Sequence, residues 1–107
     1  MPFFKESELK SKFPFEGIKF KAAYGKNAMI TIFDIDPNSV VPKHKHPHEQ
    51  ISYVIQGAVE FTLEGETRLL KEGEGVVILP NQEHGAKALF KPVKILDAWN
   101  PIREEYR

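Results

Sequence analysis

Three of the four histidines in this 107-residue chain fall in one stretch, Pro42-Lys-His-Lys-His-Pro-His48, and the fourth is His84. His44 and His46 stand two apart, ahead of Pro47. In an extended strand, side chains at i and i+2 point to one face, so both imidazoles can reach one point. Gln50 opens the apolar run that follows, and His84 comes after a second run, Val76-Val-Ile-Leu79, and a turn-like Pro80-Asn81. Two imidazoles from one strand, an amide oxygen from the next and a distant imidazole can close around one divalent metal ion. The chain has no cysteine, so thiolate ligands are excluded. Imidazole with amide oxygen suits Zn, Ni, Fe, Mn or Co without choosing among them. Gln50 is neutral, so the ion would keep its full positive charge, which raises Lewis acidity and favours anionic substrates. Glu49 is one place out of register with Gln50 and should point to the opposite face. The competing account makes the histidine-rich stretch a basic surface loop.

Positioning such a set requires strands, and the chain supplies them. Residues 18–24 alternate apolar and polar, the pattern of a half-buried strand. Residues 28–35 are rich in β-branched and aromatic side chains. Further strands are expected over 40–46, 50–56, 59–64, 67–71, 76–79, 85–90 and 93–99, separated by glycine, proline and Asx turn signals. Residues 6–10 allow a helical turn with a Glu6–Lys10 pair, ended by Pro14. Strands recurring every 8–12 residues or so, with no long helix between, indicate an all-β sandwich or small barrel. Gly73-Glu-Gly75 lacks the third glycine and following helix of a dinucleotide loop.

On the last strand, Val93, Ile95, Asp97 and Trp99 share one face by the two-residue period. A carboxylate in an apolar lumen is costly unless paired or used. Arg103 follows Pro101 and can fold back to the mouth of a barrel. The plainer accounts are a strand-end cap for Asp97, a core position for Trp99 and a solvated charged tail for Arg103.

Fifteen basic residues balance fifteen acidic ones, which removes any long-range attraction to nucleic acid or an anionic membrane. The expected partner is a small molecule or a second copy of the chain. No apolar run approaches the ~20 residues of a membrane span, and the N-terminal residues lack the apolar core of a signal peptide. Cytoplasm is the default expectation. The length fits one domain over residues 1–107, with an N-terminal segment 1–16 and a C-terminal tail 100–107. Phe3, Phe4, Phe13 and Phe15 need cover, either from a homodimer partner or from the chain's own barrel.

The pattern His44-x-His46-x-x-x-Gln50, then Gly57, then Gly73 with Leu79-x-Asn81-x-x-His84, resembles the two motifs of the cupin superfamily. The resemblance implies an antiparallel double-stranded β-helix, the jelly roll, with His44, His46, Gln50 and His84 as metal ligands. It also implies that His48 is a bystander or supports a ligand rather than coordinating. Three positions depart from the usual motif: Gln50 replaces glutamate, Leu79 stands where proline is frequent, with Pro80 after it, and Asn81 replaces a common glycine, which the tolerance of asparagine for left-handed backbone explains.

The His-x-His-Pro-His-Glu-Gln stretch, Tyr53-Val54-x-x-Gly57 and the closing Leu96-Asp97-x-Trp99-x-Pro101-x-Arg103-Glu-x-Tyr106 are together similar to the small single-domain cupins of pectin and alginate degradation. That family converts 4,5-unsaturated monouronates into linear keto-uronates. The resemblance implies Asp97 as general acid–base, Arg103 as a clamp on the uronate carboxylate and Trp99 as a wall of the sugar pocket, where the family usually has phenylalanine. A homodimer and an anionic sugar acid as substrate are expected with it. The rival functions are a metal-dependent cupin oxygenase, a non-catalytic sugar- or anion-binding cupin, and a metal-stabilised structural module.

Overall fold

A computed structural model describes residues 3–107; Met1 and Pro2, the first residues of the expected N-terminal segment, lie outside the described part. Ten strands run in chain order: β1 Lys12–Phe15, β2 Ile18–Tyr24, β3 Met29–Ile35, β4 Val40–His44, β5 Glu49–Gln56, β6 Ala58–Leu63, β7 Glu66–Lys71, β8 Gly75–Ile78, β9 His84–Ala88 and β10 Val93–Asn100. They form a six-stranded sheet, β1-β2-β3-β10-β5-β8, and a four-stranded sheet, β4-β9-β6-β7. Every pairing is antiparallel. The two sheets make the jelly roll expected of the motif spacing.

Alternation puts the core between the sheets. Along β3 and along β10 alternate side chains are buried, starting with Met29 and Val93 respectively. Ile18, Phe20, Phe33, Ile35, Val54, Val59, Val93 and Ile95 pack into one cluster. Full burial of such a side chain contributes roughly 1.5–3 kcal/mol, so this cluster anchors the fold, and Phe33, Ile35 and Ile95 also border the cavity that holds the polar groups. Gly57 joins β5 to β6 at φ 85°, and a Cβ there would stand 2.5 Å from the Pro92 carbonyl oxygen. The close turn and the left-handed backbone both require glycine at that point.

Four expectations are corrected. The strand expected over 40–46 stops at His44, and Lys45 to His48 bend before β5, because Pro47 has no N–H for a ladder. The strand expected to reach Phe90 ends at Ala88, and Phe90 is exposed. Pro14 does not close a helical segment; it sits inside β1, on the edge of the large sheet, where a missing N–H is tolerated. Glu6 begins a short 3-10 turn, Glu6–Glu8, and pairs at 2.9 Å with Lys94 rather than with Lys10. That bond holds the Glu6 carboxyl below its usual range. The chain's own barrel does not cover the N-terminal aromatics: Phe3, Phe4, Phe13 and Phe15 are all exposed, although Phe15 also borders the cavity between the sheets. No helix among the described residues is long and apolar enough to cross a membrane.

Candidate metal centre and pocket

The two sheets bring the histidines together from separate parts of the chain. His44 ends β4 and His84 begins β9, and the two residues pair across that ladder. His46 lies in the bend after β4, and its backbone carbonyl accepts the Asn81 N–H at 2.8 Å. Asn81 takes φ 65°, the left-handed geometry that asparagine tolerates, and so ties the second motif to the first. The rings converge, with centroids 4.3 Å apart for His44–His84, 4.8 Å for His46–His84 and 5.5 Å for His44–His46. One ligating atom from each lies within 4.8 Å of the others.

Which nitrogens face inward follows from the hydrogen bonds. His44 Nδ1 meets the Pro42 carbonyl at 2.8 Å, His46 Nδ1 meets the His48 carbonyl at 3.1 Å, and His84 Nδ1 meets the Gln82 carbonyl at 2.9 Å. A carbonyl only accepts, so each Nδ1 carries the proton and each Nε2 keeps its lone pair. His84 Nε2 is buried with no partner among the described residues. His46 Nε2 faces Gln50 Oε1 at 3.0 Å, a lone pair opposite an acceptor. Lone pairs turned toward one another in a buried place are a donor set for a cation, and the residues fit a divalent metal. The protonation states agree: burial pushes His84 down to about 4 and, with the nearby Arg103 charge, lowers His46. Both imidazoles are therefore held neutral, the form that coordinates.

His48 contributes its carbonyl to His46 and packs its ring against His46 and Trp99, at 5.5 and 6.2 Å between centroids. It is not in the nitrogen cluster. Gln50 is buried on β5, with Oε1 toward the cluster and Nε2 donating to Ser52 Oγ at 3.0 Å.

Asp97, Trp99 and Arg103 meet the histidines in one cavity, lined also by His44, His84, Gln50, Ser52 and Tyr106. Its empty volume is about 530 Å³, counting the open mouth. Asp97 is 5% exposed, faces Ser52 on β5 and Thr31 on β3, and its Oδ1 has no hydrogen-bond partner among the described residues. Burial pushes its carboxyl up to about 6, and the polar groups of Ser52, Gln50 and Thr31, with the Arg103 charge, pull only partway back. Trp99 is 4% exposed; its Nε1 donates to Thr31 Oγ1 at 2.9 Å and its ring packs on His46 at 5.2 Å.

Sequence reasoning left the tail as either a clamp or a solvated run, and did not assign Tyr106 a role. The tail folds back. The Arg103 guanidinium lies 4.2 Å from the Tyr106 ring centroid and 5.3 Å from that of Trp99, and pairs with Glu105 at 3.2 Å. Tyr106 packs on Phe20 at 4.4 Å and Trp99 at 5.5 Å, so it holds the guanidinium at the cavity. Arg103 Nη1 is buried without a hydrogen-bond partner among the described residues, and Nε has only the ion pair with Glu105. Ser52 and Thr31 were also missed. The two-residue period puts Ser52 on the face of Gln50, but only the pairing with β10 reveals its neighbour Asp97.

The raised Asp97 carboxyl has a consequence for stability. The native state binds this proton more tightly than the unfolded chain, where the ordinary value is 3.8. The group's contribution is therefore complete below the unfolded value and is lost as pH rises through about 6. For the metal-free protein, Asp97→Asn should gain on the parent by about 2–3 kcal/mol in unfolding free energy between roughly pH 4 and pH 8. Denaturant melts at both ends of that range measure the change. A difference that does not move with pH would mean that the carboxyl pays no burial penalty.

The chain matches known proteins along nearly its whole length. Residues 31–99 match the Cupin domain family. The pectin degradation protein KdgF of Dickeya dadantii (strain 3937) is 31% identical over 93 residues, 85% of this chain and 84% of that protein. The structure of KdgF from Halomonas sp. superposes with a TM-score of 0.93 at 34% identity, covering 100% of this chain and 99% of that one. An RmlC-like cupin from Shewanella frigidimarina NCIMB 400 has a TM-score of 0.94 at 22% identity over 100% and 96% of the two chains, a likeness of fold. With its histidine pair, remote histidine and jelly roll built as the motif requires, the chain belongs to the cupin family and resembles the cupins of pectin degradation.

Proposed function

We propose that the protein is a metal-dependent enzyme that opens 4,5-unsaturated monouronates, the sugar acids left by pectin or alginate cleavage, into linear keto-uronates. The observation that carries this reading is Asp97 Oδ1, buried and unpartnered in a cavity it shares with His44, His84 and Arg103. The similarity to KdgF, a pectin degradation protein, supports the substrate class.

The substrate is a cyclic hemiacetal whose ring oxygen is bonded to C5 of a C4=C5 double bond. The anomeric hydroxyl loses its proton, the C1–O5 bond breaks and C1 becomes a carbonyl. The electrons left on O5 form the C5 carbonyl as C4 gains a proton, so the reaction is an isomerisation with no net change in protons or electrons. Asp97 is the group that takes the first proton and delivers one to C4. Its position near 6 lets both forms exist near neutral pH, as a shuttling acid–base needs. Arg103 binds the uronate carboxylate through its guanidinium, whose buried Nη1 has no partner among the described residues, in the fork geometry that suits a carboxylate. Trp99 walls the ring, held in place by Thr31. His44, His46, His84 and Gln50 would hold the cation, which supplies Lewis acidity to the substrate's oxygens.

Mixing the protein with a 4,5-unsaturated galacturonate or guluronate should remove the ultraviolet absorbance of the double bond, and a chelated sample should not. Unchanged absorbance in the metal-loaded sample would refute the assignment. Oxygen uptake by an iron-loaded sample would point instead to an oxygenase.

A further inference from the structure

Gln50 can serve a cation through only one end of its amide: the oxygen has lone pairs to give and the NH2 has none. The two ends are nearly equal in size, so the choice between them falls to hydrogen bonds. On the cluster side the protein offers nothing that prefers the oxygen. His46 Nε2, 3.0 Å from Gln50 Oε1, is a bare lone pair, because the ring's proton is on Nδ1 toward the His48 carbonyl. Without a cation, that nitrogen would be better served by the NH2.

The choice is made on the other side. There Gln50 Nε2 donates to Ser52 Oγ at 3.0 Å. A hydroxyl alone is indifferent, since it can donate or accept. Ser52 has a neighbour that removes the indifference: Asp97 stands opposite it across the β5–β10 ladder, within hydrogen-bonding reach, and its carboxyl oxygens are acceptors for the Ser52 hydroxyl. With its hydrogen turned to Asp97, Ser52 can only accept from Gln50, which sends the amide oxygen to the cluster. Thr31 repeats the arrangement on the opposite flank. It pairs with Asp97 across β3–β10 and its Oγ1 accepts from Trp99 Nε1 at 2.9 Å, leaving its own hydrogen for the carboxylate.

We propose that Ser52 is a positioning residue that sets the direction of the Gln50 amide, so that a glutamine serves as an oxygen ligand where cupins usually place a glutamate. The inference rests on the metal reading of the site. It adds the Ser52 hydroxyl to the direct contact of the Gln50 amide with Asp97 in coupling the ligand shell to the acid–base group.

The test is cobalt(II) affinity, measured by competition with a chelator and independent of any sugar substrate. Ser52→Ala should weaken binding by about 10–100-fold, the usual cost of losing a group that orients a ligand. Ser52→Thr keeps the hydroxyl and should stay near the parent. Gln50→Glu has oxygen at both ends, so adding Ser52→Ala to it should change affinity by no more than about twofold. Ser52→Cys, which keeps the volume with a weak hydrogen-bonding group, should weaken binding as Ser52→Ala does and serves if the alanine variant folds poorly. The proposal is overturned if both the alanine and cysteine variants bind cobalt as tightly as the parent. It is equally overturned if Ser52→Ala costs as much beside Gln50→Glu as it does alone. A parent protein that binds no cobalt would defeat the metal reading first, a result distinct from either.

Discussion

Asp97→Asn is expected to lower turnover of a 4,5-unsaturated monouronate by about 10²–10⁴-fold while the metal stays bound. The substitution keeps the shape of the side chain, and the asparagine carbonyl can still accept from Ser52 and Thr31. What it removes is the ability to carry a proton between the anomeric oxygen and C4. Asp97 is not one of the converging nitrogen donors, so the cation's site is untouched. Single-turnover rates, read beside metal content, separate the two effects. Near-normal ring opening in this variant would take Asp97 out of the chemistry, and loss of metal would make it part of the cage instead.

His84→Ala should remove metal and activity together, to the level of a chelated sample. Losing the Lewis acid forfeits several kcal/mol of charge stabilisation, on the order of a 10³-fold loss of rate or more. His84 is the one histidine donated by the second motif, and it is buried at 3% exposure, stacked on Phe61 at 6.2 Å. Truncation there also leaves a hole, so His44→Ala, at a more open position of the same ladder, is the companion variant. Both should lose the metal in equilibrium dialysis while His44→Ala keeps a parent-like thermal transition. Full activity in either variant would show that the three-imidazole cluster is dispensable.

The sandwich was legible because burial on one face of a sheet writes a two-residue period into the sequence, as in 18–24 and 93–99. The histidine cluster was legible because its chain offsets are short or punctuated by glycine. β1 was not, since Pro14 is a break everywhere except at a sheet edge, and edges are a property of the assembled sheet. Tyr106 was hidden by its neighbours: Glu104, Glu105 and Arg107 read as solvated, and only the ring's packing on Phe20 shows that the segment returns. Ser52 was hidden by chemistry, because a lone serine in a strand carries no signal until the carboxylate across the ladder is known.

Each imidazole of the cluster is aimed by a main-chain carbonyl only two positions away, at Pro42, His48 and Gln82. Aim of that kind is a property of how the main chain runs at the end of β4, in the bend after it and in the turn before β9. Walls other than Gln50 and Ser52 can then be exchanged by mutation without turning the imidazoles, which lets one scaffold acquire new substrates while its nitrogen donors stay where they are.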